Sequence, residues 1–387
     1  MKLRVIIASG VAVVLAIGGC SGSKKGPAAR PNGGNTGAAS GQAGDPAPDP
    51  KAEAYARVLA ASDAEVDTGR WKKNGPYRIA AVTQGPINGW GTLFDAQLKS
   101  AAKNNADVNS LDLYPSIASA EKQTQDLELL INKKPDAIIL TPMSVAALSA
   151  PITRARAAGI PVINCGARSN GAGWVTEVGQ PLYPMGFNAA VHLAKMLNGK
   201  GNIIILNGIP GVDAGEIWKA GGHDALKHYP DIKVVGEGAG NWSTADSKKL
   251  ASSLLAANPQ IDGVLSMGME MGIGVVQAFV DAGKPVPPIA GTGAMNGFNK
   301  LAIDNNVKWW AISYNPSLSK VCLDTALLVL QGKPVKKYID GTKQMTGTLE
   351  FGDANQKETY KPALSDQLPL GPTFMSDPEL AAAGFGK

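Results

Sequence analysis

Between Tyr77 and Asn164 the chain repeats one unit, a short strand-like run followed by an amphipathic stretch. The runs are Tyr77–Thr83, Asp107–Leu113, Asp136–Leu140 and Ile160–Asn164. The stretches between them, Leu93–Ala102, Ala118–Asn132 and Ala146–Ala158, have helical spacing. Leu127, Leu130 and Ile131 fall on one helical face, and Gly159 stands where a C-cap belongs. Apolar runs without alternation mark strands covered on both faces. Strand–helix units of about thirty residues predict a parallel sheet with right-handed crossovers.

The unit resumes after a break at Gly179-Gln180-Pro181. Helices are predicted at Met185–Leu197, Ala214–His228, Thr244–Ala257, Met271–Gly283 and Phe298–Asp304, and strands at Asn202–Leu206, Lys233–Glu237, Gly263–Ser266, Pro288–Gly291 and Lys308–Tyr314. A helix over Pro316–Gln331 closes the series, with Val321, Ala326, Leu328 and Leu330 available for packing. The fold class is therefore α/β, with two doubly wound, Rossmann-like lobes in tandem. Ligands of such sheets bind outside the carboxyl ends of the strands. Two lobes with those ends facing each other make a cleft, a common place for a small ligand.

The N-terminus carries a different message. Lys2 and Arg4 precede an apolar run from Val5 to Ile17, and Gly18-Gly19-Cys20 follows. This reads as a secretory signal peptide over residues 1–19. The cysteine after two glycines resembles the lipobox of bacterial lipoproteins, which implies a lipid on Cys20. An ordinary cleaved signal with a chance cysteine is the other reading. No later stretch is apolar enough to span a bilayer, so the lipid is the expected anchor, on the outer side of the cytoplasmic membrane. Residues 20–50 are rich in Gly, Pro, Ala, Asn and Ser and read as a disordered tether. Residues 51–75 form a lead-in, helical to about Val66, with Ala54, Val58, Ala61 and Glu65 in phase.

Several function classes are set aside by composition. A chain with 44% hydrophobic and 18% charged residues is an ordinary globular one, and part of its net charge of +5 sits in the signal and tether. No basic stripe interleaved with aromatics is present, so a nucleic-acid partner is not expected. His192, His223 and His228 complete no zinc-ligand pattern, so no metal is expected. No Gly-x-Ser-x-Gly elbow, His-Glu-x-x-His or Walker loop occurs, and the glycine-rich run Gly268–Gly274 lacks dinucleotide spacing. The chain is therefore not expected to be an enzyme, to carry catalytic residues or to need a cofactor. Apart from Cys20, two cysteines remain. Cys165 and Cys322 form either a disulfide or two buried thiols.

From about Tyr77 to Tyr338 the chain resembles the type I periplasmic binding proteins, in the sugar-binding branch typified by ribose-binding protein. The resemblance rests on Lys134–Pro142, Ala157–Ile163, Asn207–Gly211, Asn258–Val264 and Ala278–Lys284, five segments in the family's order. It implies two lobes joined by three crossovers that close on one small solute and deliver it to an ABC permease. Lobe 1 would hold residues 76–179 and 315–338, and lobe 2 residues 180–314. Residues 339–387 would return over the hinge and extend beyond it. A monomer is expected.

The resemblance also implies a ligand site. The end of the first strand and its loop correspond to Gln84, Asn88 and Trp90, a mix of polar partners and an aromatic face that suits a sugar. The family's Asp-Arg pair is replaced by Gly166-Ala167, with Arg168 one step beyond. Its arginine in the second lobe corresponds to Glu216, with Asp213 and Trp218 nearby. Its Asn-Asp pair corresponds to Gly268-Met269, followed by Glu270. Its later Asp and its hinge Gln correspond to Gly293 and Tyr314, and the aromatic after the second strand is Trp242. The charged clamp for a pentopyranose is largely missing, so ribose is not expected. A polyol or modified sugar fits. An amine or nucleoside held by carboxylates and aromatic faces fits as well, as does a role in presenting a signal to a membrane sensor.

Overall fold

The computed structural model describes residues 64–166 and 173–387. The signal, the tether, Cys20 and Arg168 lie outside the described residues. Most of the predicted helical lead-in also does. Its described end is not helical. Glu65–Val66 is a short strand, β1, and the β-branched Val66 pairs with Val335 of β12 (Val335–Lys336) in an antiparallel edge.

The first sheet follows the order β13, β6, β5, β4, β2, β3. These are Tyr338–Asp340, Thr176–Gly179, Val162–Gly166, Ala137–Leu140, Tyr77–Thr83 and Val108–Pro115, and every neighbouring pair is parallel. Alternate side chains of one strand serve opposite faces. Ile79 and Ala81 join Phe94 and Leu98 of α1 (Gly89–Lys103) and Cys322 and Leu323 of α9 (Leu318–Leu330). Ala80 and Val82 join Leu127 and Leu130 of α2 (Ala120–Lys133) and Leu148 and Ile152 of α3 (Val145–Ala157). Both faces of the central strands are covered, which is why their runs read as apolar without alternation, whereas the edge strand β3 keeps exposed polar positions.

The second sheet has the order β14, β11, β10, β9, β7, β8. Its strands are Glu350–Gly352, Trp309–Ile312, Ile289–Thr292, Gly263–Ser266, Lys200–Asn207 and Asp231–Ala239. All pair in parallel except β14, an antiparallel edge. Its helices are α4 (Leu182–Met196), α5 (Asp213–Leu226), α6 (Thr244–Ala257), α7 (Met269–Asp281) and α8 (Asn296–Asp304). α4 and α5 pack backbone to backbone, because Gly186 lies against the Trp218 carbonyl and Gly221 against that of Tyr183.

The chain passes between the sheets three times, from β6 to α4, from β11 to α9 and from β13 to β14. The first two passages are tied together, since the Asn315 amide donates to Gln180 Oε1 at 2.8 Å. The last passage places Tyr338–Asp340 in the first sheet and Glu350–Gly352 in the second. The strand β6 was not foreseen, because four residues beside a Gly-Gln-Pro break carry too short a pattern. Cys165 of β5 and Cys322 of α9 form a disulfide with Cα atoms 6.0 Å apart, pinning the return helix to the first sheet. Among the described residues no helix is long and apolar enough to cross a membrane.

Candidate functional site

The carboxyl ends of both sheets face one cleft, and each loop there brings a side chain to it. β2 ends at Thr83, and Gln84 and Asn88 follow before α1. Asn88 has a fixed orientation because it caps that helix, accepting from the Gly91 amide at 3.1 Å. Trp90 then begins the helix facing the cleft. Its ring stacks on Phe94 at 5.1 Å and on Tyr314 at 5.0 Å, nearly parallel to the latter at 6°. Tyr314 comes from the passage after β11. Trp218 of α5 meets Tyr314 edge-on at 5.2 Å, and Trp242 meets Trp218 edge-on at 6.2 Å. The result is an aromatic box with rings from both lobes.

Trp242 is placed by unusual backbone. Asn241 and Trp242 both lie in the left-handed region, at φ of 56° and 50°. A bulky residue there is costly, and such strain collects at functional sites. The turn lets the indole drop between Gly208 and Gly268, where a β-carbon at either position would collide with the ring. Its Nε1 donates to the Met267 carbonyl at 2.8 Å. The indole nitrogens of Trp90 and Trp218 are buried without a hydrogen-bond partner among the described residues.

One acid enters the box. Glu270 sits in the first turn of α7 and is 8% exposed. Its Oε1 accepts from Asn88 Nδ2 at 3.2 Å, a bond between the lobes. Burial pushes this carboxyl up to about 7, against the pull of its own backbone amide. Burial, with Glu177 adding to it, also holds the Tyr314 phenol well above its ordinary range. The cavity within these groups measures about 50 Å³, room for one or two waters. Wider grooves of about 500 and 610 Å³ run along α9 and α1 of the first lobe, and neither is lined by the aromatic box. Among the described residues no group of three or more metal-ligating side chains exists.

A family model described as a periplasmic binding protein domain matches residues 79–334. The chain belongs to that family. This periplasmic binding protein is 33% identical over 213 residues to a xylitol-binding protein of Mycolicibacterium smegmatis, covering 54% of this chain and 61% of that relative. The chain thus spans less than two thirds of that relative's length. It is 25% identical to a ribose import binding protein of Bacillus subtilis, over 62% of this chain and 77% of the relative. Among solved structures, it is similar to a periplasmic solute-binding protein of an ABC transporter from Actinobacillus succinogenes with bound D-allose. That likeness has a TM-score of 0.63 and 26% identity, covering 72% of this chain and 99% of the other.

Of the residues expected at the site of this binding protein, the cavity gathers Gln84, Asn88, Trp90, Trp218, Trp242, Glu270 and Tyr314. Three others lie elsewhere. Glu216 is on the exposed side of α5, where Lys219 Nζ pairs with it at 2.7 Å and holds its carboxyl below the usual range. The small Ala214 of the same turn faces the cavity instead. Met269 is fully buried in the core of the second lobe. Asp213 reaches across the cleft, and its Oδ2 accepts from the Val145 amide at 2.9 Å. It serves as the cap that Ser144, the residue before α3, does not supply with its own side chain. Met295 and Pro369 complete the wall and were not foreseen, because neither carries a polar or aromatic signal.

Proposed function

We propose that this chain is the extracytoplasmic solute-binding protein of an ABC importer, a carrier rather than an enzyme, and that it captures a small sugar or polyol between its lobes. Family membership and the ligands named for its relatives support this reading. The observation that carries it is the box itself. Aromatic faces from both lobes suit the C–H faces of a polyol, while Asn88, Gln84 and Glu270 offer hydrogen bonds to hydroxyl groups. The unpartnered indole N–H groups of Trp90 and Trp218 are donors for hydroxyl oxygens. A carboxyl with its pKa near neutrality can either donate or accept, which suits a neutral hydroxylated ligand better than a cation. The present cavity is smaller than one sugar ring, so Trp90 and Tyr314 part as the solute enters. Contacts from both lobes are complete only in the closed state, so the solute shifts the population toward closure. The closed shape is then what a permease reads. Cys20 would carry the lipid anchor, and the carrier would act as a monomer.

A thermal-shift screen with pentoses, hexoses, polyols, amino sugars, nucleosides and polyamines tests the solute class, since native-state ligands raise the melting temperature. Stabilisation by neutral sugars or polyols is expected. Stabilisation only by amines or nucleosides would overturn the reading. Within the box, Trp90→Ala should raise the Kd of the bound solute at least tenfold, about 1.4 kcal/mol, with the fold retained. Unchanged affinity would remove Trp90 from the site.

A further inference from the structure

The C-terminal stretch from Lys361 to Phe385 adds no strand to either sheet, yet it is held on both lobes. On the second lobe the grip is polar. Asn296, at the start of α8, is fully buried. Its Nδ2 donates to the carbonyls of Lys361, Leu364 and Ser365 at 2.9, 3.1 and 3.2 Å, and its Oδ1 accepts from the Lys361 amide at 2.9 Å. The backbone continues the attachment, from the Asn296 amide to the Leu368 carbonyl at 2.9 Å and from the Leu370 amide to the Ala294 carbonyl at 2.8 Å.

On the first lobe the grip is mainly apolar. Leu93 of α1 is buried in a cluster otherwise built by the stretch itself, from Leu364, Leu368, Met375, Leu380 and Phe385. The Gln367 carbonyl rests on Gly89 so closely that a β-carbon there would collide with it. Two polar bonds join it, from Gln97 Nε2 to Thr373 Oγ1 at 3.2 Å and from Ser317 Oγ, at the start of α9, to the Pro372 carbonyl at 2.6 Å. Between the two grips Pro369 bridges to Met295, and both form part of the solute cavity's wall.

The two attachments differ in what separation would cost. Pulling the stretch from the second lobe strips several buried carbonyls of their donor at once, and each unsatisfied group is expensive. Parting from the first lobe frees one carbonyl, that of Pro372, and exposes one leucine and its neighbours to water, a smaller cost. Leu93 also lies on the helix that carries Trp90 and is capped by Asn88. We propose that Lys361–Phe385 is a strap belonging to the second lobe, which supplies a third wall of the solute cavity through Pro369 and latches the first lobe closed through Leu93. Only the size selection by Pro369 rests on the solute class proposed above.

Small-angle X-ray scattering of the full chain without added solute reads the latch directly. Leu93→Asn should give a larger radius of gyration than the parent at unchanged circular dichroism. Should that variant fail to fold, Phe385→Ser, which alters only the strap's side of the contact, carries the same expectation. A folded variant with the parent's radius overturns the latch. Titration with xylitol and with D-allose reads the wall. Pro369→Ala should shift the ratio of the two affinities at least threefold toward the larger D-allose, and an unchanged ratio overturns the role of Pro369. A parent chain that binds no sugar or polyol at all refutes the solute class, and the scattering then decides the strap on its own.

Discussion

Glu270 shows how position decides the chemistry of a residue. A carboxylate in the first turn of a helix is ordinarily favoured in its charged form by the helix dipole. Here enclosure by the aromatic box outweighs that, and its pKa rises from 4.5 to about 7. The folded state therefore holds this proton more tightly than the unfolded chain does. Its contribution to stability is fully present below about pH 4.5, and it is lost as pH rises toward 7. The melting temperature of the solute-free protein should fall across that window more steeply than that of Glu270→Gln. Parallel curves for the two proteins would place the titration elsewhere. The sequence placed both Glu270 and Glu216 among the expected site residues, but it could not separate them. One is buried against Asn88 and the other is exposed beside Lys219, and only the packing of the helices settles which is which.

At the level of elements, the hydrophobic pattern and the glycines act together. The central strands of both lobes were legible because burial on two faces leaves them almost no polar positions. The close α4–α5 contact was not, since it depends on which glycine meets which carbonyl. Gly221→Ala would force a methyl group onto the Tyr183 carbonyl. It should cost about 1–3 kcal/mol in urea unfolding, as overpacking does, while Gly283→Ala, which meets nothing within 4 Å but strains a φ of 65°, tests backbone cost alone. The bond between β5 and α9 closes 157 residues of chain separation, including the second lobe from α4 to β11. Replacing Cys165 and Cys322 together by Ala should lower unfolding stability by about 2–5 kcal/mol. The spacing of these cysteines left both a disulfide and free thiols open, because the pairing depends on a return helix arriving from the far side of the other lobe.

At the scale of the whole molecule, the lobes meet through bonds that an open cleft would break. Asp213 caps α3 from the opposite lobe, and Asn88 donates to Glu270 across the same gap. Losing a cap costs about 1 kcal/mol. If that loss falls only on the closed state, Asp213→Ala should raise the solute Kd about fivefold. Its melting temperature without solute, measured alongside, separates closure from general destabilisation. A variant with the parent's Kd would show that the cap forms independently of closure.

Periodicity along the chain was enough to determine two α/β lobes in tandem, because a strand buried on both faces and an amphipathic helix each write their burial into consecutive residues. The family resemblance, added to that pattern, pointed to the loops after β2, β8 and β11, at strand ends where such sheets bind ligands. The stacking of Trp90 on Tyr314, the cross-lobe capping by Asp213 and the presence of Pro369 in the cavity wall are different in kind. Each joins residues far apart in the chain, and no local pattern records which of the available partners a side chain will meet. Those pairings were decided by the relative placement of two lobes and a C-terminal strap, which only the tertiary structure contains.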